Sequence, residues 1–166
     1  VNNKTPGVWI LLGRNETAEK WECLQVGINV DIYQEIVTDI DYMYEQGKTE
    51  KDYINQFGEK CEGLKIFAYP SEHNQLYSFI RNTYENLAFV IVAENVEELE
   101  KRKTIEKYVA YRTRAKYWRN GRAYEKEATV KNEDLSVDIS AVMNYVIEID
   151  KFLEKYIIIK GIGASK

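Results

Sequence analysis

The sequence predicts an α+β domain: a small sheet of three mostly antiparallel strands, flanked by helices, with a further helix at the C-terminus. Three observations lead there. "VWILLG" (8–13) and "WECLQVG" (21–27) are short apolar stretches that each end in glycine and are joined by the polar, turn-rich "RNETAEK". That is the signature of a β-hairpin. "AFVIVAE" (88–94) is a continuous apolar, β-branched run, the pattern of a central strand buried on both faces. Between and after these runs, the apolar spacing changes from strand-like to helical.

Each element follows from its residues. The run at 8–13 reads as a buried strand stopped by Gly13, and 21–27 alternates through Trp21 and Cys23, with Leu24 and Val26 completing its apolar set. In 29–47, Ile32, Ile36, Ile40 and Met43 recur at helical spacing; Asn29 or Asp31 can cap the start and Gly47 can stop it. Residues 48–60 are read as carrying a short helix, and "LKIFAYP" (64–70) as a strand ended by Pro70. A helix over 71–87 starts at Ser71 and turns Leu76, Phe79, Ile80 and Tyr84 to one side. A long helix over 95–118, capped by Asn95, follows the 88–94 strand. Residues 119–136 read as a linker, and 137–160 as an amphipathic helix stopped by Gly161. There is no internal repeat.

The bulk composition narrows the function classes. A chain of 166 residues that is 45% apolar and 30% charged has enough apolar surface to fold as one domain rather than stay disordered. Thirteen tyrosines fit either a binding surface or a Tyr-rich core, because the ring is apolar and its hydroxyl wants a polar neighbour. One histidine and two cysteines, Cys23 and Cys61, without a CxxC spacing, argue against a Cys/His zinc site. The sequence leaves a disulfide between those two cysteines open. No apolar run reaches the roughly 20 residues that cross a bilayer, and "VNNKTPG" has no signal-like pattern. Two lone thiols suit a reducing compartment, so a soluble, cytoplasmic protein is expected.

The charge is segregated. Net charge is −4, but residues 1–100 hold 8 Lys/Arg against 18 Asp/Glu, residues 101–126 hold 10 against 2, and residues 127–166 hold 5 against 7. A basic block in an acidic chain marks either a polyanion-binding face or a solvated helix paired with the acidic remainder. Acidic residues fill the first turns of the 95–118 helix and basic ones its last, an order that also suits the helix dipole.

Within the basic block stands Glu106. At about 100° per residue it shares a helix face with Val109, Ala110, Thr113 and Tyr117, none of them charged. A second uncharged face holds Tyr108, Tyr111, Ala115 and Trp118. A carboxylate on a packing face needs a partner. Arg102, one turn earlier, or another basic side chain is the structural candidate, and a metal ion at the edge of a cleft is the functional one.

The order of these pieces resembles the GIY-YIG nuclease superfamily, over roughly residues 5–122. Gly7-Val8-Trp9 in "TPGVWILLG" looks like its Gly-x-Tyr strand, and Gln25-Val26-Gly27 in "LQVG" like its Tyr-x-Gly strand. The third strand and the helix with Glu106, then Val109-Ala110 and Lys116-Tyr117-Trp118, are similar to its metal-binding helix. In the family a Tyr activates the attacking water, a helical Arg stabilises phosphate charge, and the Glu holds one divalent ion. Here Trp9 and Gln25 stand at the Tyr positions, and Glu35 falls where the Arg would be. The resemblance therefore implies a GIY-YIG-like domain over 1–126 with a degenerate centre made of Trp9, Gln25, Glu35 and Glu106, and a helical extension over 127–166 packed on it. Glu106 would be the ligand for Mg2+ or Mn2+ were the domain enzymatically active. Substitutes for the missing groups are Arg14, Lys20, Arg81, His73, Tyr33, Tyr108 and Tyr111, with Tyr33 also a candidate to pack on the sheet.

Three functions follow. The first is nucleic-acid binding, DNA or RNA, with Arg102, Lys103, Lys107, Arg112, Arg114, Lys116, Arg119 and Arg122 contacting phosphates and aromatic rings stacking on bases. The second is a protein-interaction, regulatory or homodimer module working through the C-terminal helix. The third is a metal-dependent endonuclease with a rearranged site.

Overall fold

The apolar run near the N-terminus becomes a central strand because both of its faces are covered. In the computed structural model, which describes residues 3–16, 18, 20–44, 52–54, 57–65, 71–121, 124, 130–140 and 156–163, the elements are β1 (Gly7–Arg14), β2 (Glu22–Asn29), α1 (Ile32–Met43), β3 (Asp52–Ile54), β4 (Lys60–Lys65), α2 (Ser71–Thr83), β5 (Asn86–Glu94), α3 (Leu99–Thr113) and β6 (Tyr156–Lys160). The main sheet has the order β2-β1-β5-β6, with antiparallel neighbours throughout. Strands β3 and β4 form a separate antiparallel ribbon.

Alternation along β1 builds two cores. Val8, Ile10 and Leu12 face Ile105, Val109 and Ala110 of α3, together with Trp118. Trp9 and Leu11 face Ile32 and Ile36 of α1 and Leu76 and Ile80 of α2. Burying each such aliphatic side chain contributes about 1.5–3 kcal/mol. A sheet sandwiched this way favours the unbroken apolar runs seen in β1 and β5 over strict polar alternation. Gly7 has a local reason: a Cβ there would collide with the carbonyl oxygen of Ala93 on β5.

The α+β class and the hairpin are observed, and several details differ from the sequence reading. The strand expected over 64–70 is described only to Lys65, the rest lying outside the described residues, and the helix expected over 71–87 ends at Thr83, with Asn86 and Leu87 already in β5. The sheet has four strands, not three. The fourth comes from the segment expected to end a C-terminal helix: Ile157–Ile159 are three β-branched residues in a row, and their pairing with Leu87–Phe89 of β5 overrides the helical spacing before them. Residues 139–140 are helical and 141–155 lie outside the described residues. Residues 52–54 are strand rather than a short helix, because they pair with β4. The long helix starts at Leu99 with Glu98 as its N-cap. Asn95 takes φ 57°, a left-handed turn that asparagine tolerates, and Val96 N–H then donates to the Pro6 carbonyl. That helix ends at Thr113, where Arg114 adopts the left-handed conformation. No helix among the described residues is long and apolar enough to cross a membrane.

Candidate functional site

One cleft gathers the four motif positions. Trp9 of β1, Gln25 of β2, Glu35 of α1 and Glu106 of α3 line it, together with Gly27, Asp39, Tyr77, Trp118 and Arg119; its volume is about 230 Å³. The cleft lies where β2, the sheet's edge strand, meets α1, the middle of α3 at Glu106 and the 3-10 turn that carries Trp118 and Arg119.

Trp9 reaches Glu35 only because β2 carries a glycine beside it. Trp9 and Gly27 are cross-strand neighbours, and a Cβ on Gly27 would strike the indole ring. The ring therefore lies over the Gly27 backbone, and its Nε1–H donates to Glu35 Oε1 at 2.6 Å. The other carboxylate oxygen of Glu35 accepts from Asn29 Nδ2 at 2.8 Å. Asn29 Oδ1 in turn accepts from Asp31 N–H, and Asp31 caps α1. At the positions where the resemblance expects a phenol and a guanidinium, the chain has a donor and an acceptor bonded to each other. Gln25 is also engaged with its surroundings: its Oε1 accepts from Val26 N–H at 3.1 Å and its Nε2 donates to the Tyr117 carbonyl at 3.4 Å.

Glu106 is 8% exposed, on the packing face that its spacing predicts. Of the basic partners expected, the one shown for it is Arg119, with Nη2 at 3.3 Å from Oε1, rather than Arg102. Arg119 comes from the 3-10 turn after α3 and has φ 49°; its guanidinium also lies 4.5 Å from the Trp118 ring centre. One turn beyond Glu35, Asp39 is buried at 5% exposure. Burial, and then the charge of Glu35, push its carboxyl up to about 8, while the Tyr77 hydroxyl bonded to it works the other way. At neutral pH Asp39 therefore holds a proton. Asp39 is absent from the sequence reading, although its spacing from Ile32, Ile36 and Met43 puts it on the inner face of α1.

The charge in the cleft is thus Glu35 and Glu106 against Arg119, which repels rather than attracts phosphate. The divalent ion implied by the resemblance does not fit either. Arg119 already faces Glu106 and supplies the positive charge that such an ion would bring. Of the suggested substitutes, Arg14, Lys20, Arg81, Tyr33, Tyr108 and Tyr111 are not cleft-lining residues. Tyr33 is 40% exposed rather than packed on the sheet. Side chains of His73 and Cys61, and all of Arg122, lie outside the described residues. Cys23 is a buried free thiol that desolvation pushes up to about 12, so it is no nucleophile at neutral pH.

The basic block divides by face. Arg102 is 5% exposed and its Nη1 donates to the Val96 and Glu97 carbonyls at 2.8 and 3.0 Å, so it braces the start of its own helix and is withdrawn from the set that could meet phosphate. Lys116 lies 3.9 Å from Glu22 and Lys103 lies 3.7 Å from Glu100; Lys107 is half-buried. Arg112 and Arg114 are exposed. Arg112 sits over the Tyr108 ring at 5.9 Å, and Arg114 lies 4.9 Å from Tyr111 and 5.4 Å from Tyr124.

No family model matches the chain, and no curated protein and no solved structure is significantly similar to it.

Proposed function

We propose that this is a nucleic-acid-binding domain of GIY-YIG-like architecture whose catalytic centre has become a structural polar cluster. The observation that carries the reading is the bond from Trp9 Nε1 to Glu35 Oε1, which joins the two positions where water activation and phosphate stabilisation would reside. Phosphodiester cleavage needs an activated nucleophile and stabilised charge. Trp9 has no oxygen-bound proton to exchange, and Glu35 opposes negative charge.

Binding is assigned to the outer side of α3. Arg112 and Arg114, flanked by Tyr108, Tyr111 and Tyr124, combine cations with aromatic planes, the pairing that tracks a phosphate backbone and stacks on bases. Lys103 and Lys107 extend the same helix with further positive charge.

The test is a fluorescently labelled single strand and a duplex, titrated at rising salt, with nicking assayed in parallel in Mg2+ and Mn2+. The reading expects binding that weakens steeply with salt and no nicking. Binding that ignores salt, or its absence at low salt, contradicts it. Nicking abolished by Glu106→Ala in a folded protein would replace it with an endonuclease.

A further inference from the structure

A recess on the outer side of α3 shares no described lining residue with the cleft. One of its walls is the segment 131–140, which reaches from Lys101 near the start of α3 to Arg112 in its last turn. Asp134 pairs with Lys101 at 3.0 Å, Ser136 N–H donates to the Val92 carbonyl at 2.7 Å, and Ser140 Oγ accepts from Arg112 Nη2 at 3.3 Å. Leu135 and Val137 pack with Tyr108 against the core on this side of the sheet. Between segment and helix lies a cavity of about 520 Å³, lined by those three residues, by Arg112, and by Asn132 and Asp138 on its exposed rim. Its size falls within the roughly 300–1,000 Å³ of sites that enclose small ligands.

We propose that this recess takes one unpaired nucleotide, so that the domain selects single-stranded nucleic acid over duplex. This selection rests on the nucleic-acid-binding reading above and narrows its substrate class. A guanidinium carries five N–H donors in a fixed fork, so Arg112 can hold Ser140 and a phosphate oxygen together, with the charge assistance that favours phosphate. Tyr108, whose ring centre is 5.9 Å from the Arg112 guanidinium, gives a base an apolar surface beside that phosphate, and Leu135 and Val137 extend it. Asp138 repels a phosphate but accepts from the N–H groups of a base, so the base edge lies on its side of the recess. The Asn132 amide offers that edge both a donor and an acceptor. A base reaches these groups only when it is out of its stack. In a duplex it must first be unpaired and unstacked, whereas in a single strand little of that penalty remains.

The measurement is the affinity of a fluorescently labelled mixed-sequence strand, as DNA and as RNA, alone and annealed to its complement, at one low salt concentration. The single strand should bind at least about tenfold tighter than the duplex. Asn132→Trp and Ser136→Trp each fill the recess from its rim and change no charge. In each variant that circular dichroism shows to be folded, the ratio of single-strand to duplex affinity should fall toward one. Equal affinity for the two forms, both weakening with salt, overturns the recess and leaves nucleic-acid binding standing. A ratio that the folded variants keep does the same. Binding to neither form overturns the nucleic-acid reading itself, and the recess with it.

Discussion

Arg102 and Arg112 stand on one helix and read alike in the sequence, yet they do different work. Arg102 is buried and holds two carbonyls at the start of α3. Arg112 is exposed, lies over Tyr108 and donates to Ser140 Oγ at 3.3 Å. The inner side of α3 also carries Glu106 with Arg119, while the outer side ends in Arg114 among tyrosines. A basic stretch is therefore not a binding surface by count. Its inward charges belong to the fold, and it is the outer ones to which binding is assigned in the proposed function.

Substitutions can break this division, and the inner side should be the costlier. Trp9→Ala empties a fully buried site against Phe89 and removes a donor from Glu35. It should lower unfolding free energy by about 3–5 kcal/mol in urea titration. Trp9→Phe keeps a ring and loses the donor, and should cost about 1–2 kcal/mol. Equal losses in the two variants would mean that the indole hydrogen bond contributes nothing.

The next effect depends on pH. Asp39 is raised from 3.8 to about 8, so in this window the native state holds a proton that the unfolded state releases. The contribution is complete below pH 4 and is lost as pH rises toward 8. Relative to Asp39→Asn, the unaltered chain should lose stability, on the order of several kcal/mol, as pH rises through that window, then level off. Glu35→Gln removes the second cause of the shift and should move the upper limit down. A pH-independent difference between the chain and Asp39→Asn would contradict the assignment.

Arg102→Gln should cost about 1–3 kcal/mol, because its guanidinium is buried and its bond to the Val96 carbonyl is enclosed. Arg112→Gln, on the exposed face, should stay within about 0.5 kcal/mol. Urea midpoints for the pair read the inner–outer difference directly.

Much of the fold was legible because it rests on local pattern. The unbroken run at 8–13 and the one at 88–94 specify strands that need cover on both faces, and Ile32, Ile36 and Met43 specify the inner stripe of α1. Strand β6 was not legible. Its three isoleucines follow a helix-period segment, and only the distant β5 decides their conformation. In the cleft, Glu106's burial and its need for a basic partner followed from its uncharged neighbours, but which basic residue would serve did not. Arg119 reaches it through a left-handed residue at 114 and a 3-10 turn, neither of which has a sequence signal as strong as glycine. Gly27 was noted as a motif residue; that it is bare to admit an indole is visible only once β1 and β2 are in register.

The most direct test of the inner–outer division is the salt dependence of nucleic-acid affinity in two variants. Arg112→Gln/Arg114→Gln should flatten the slope of log affinity against log salt by about 1–2, whereas Arg119→Gln, whose charge faces Glu106, should leave that slope in place. The opposite result, a slope flattened by Arg119→Gln and untouched by the double substitution, would put the binding charge inside the cleft and contradict the account.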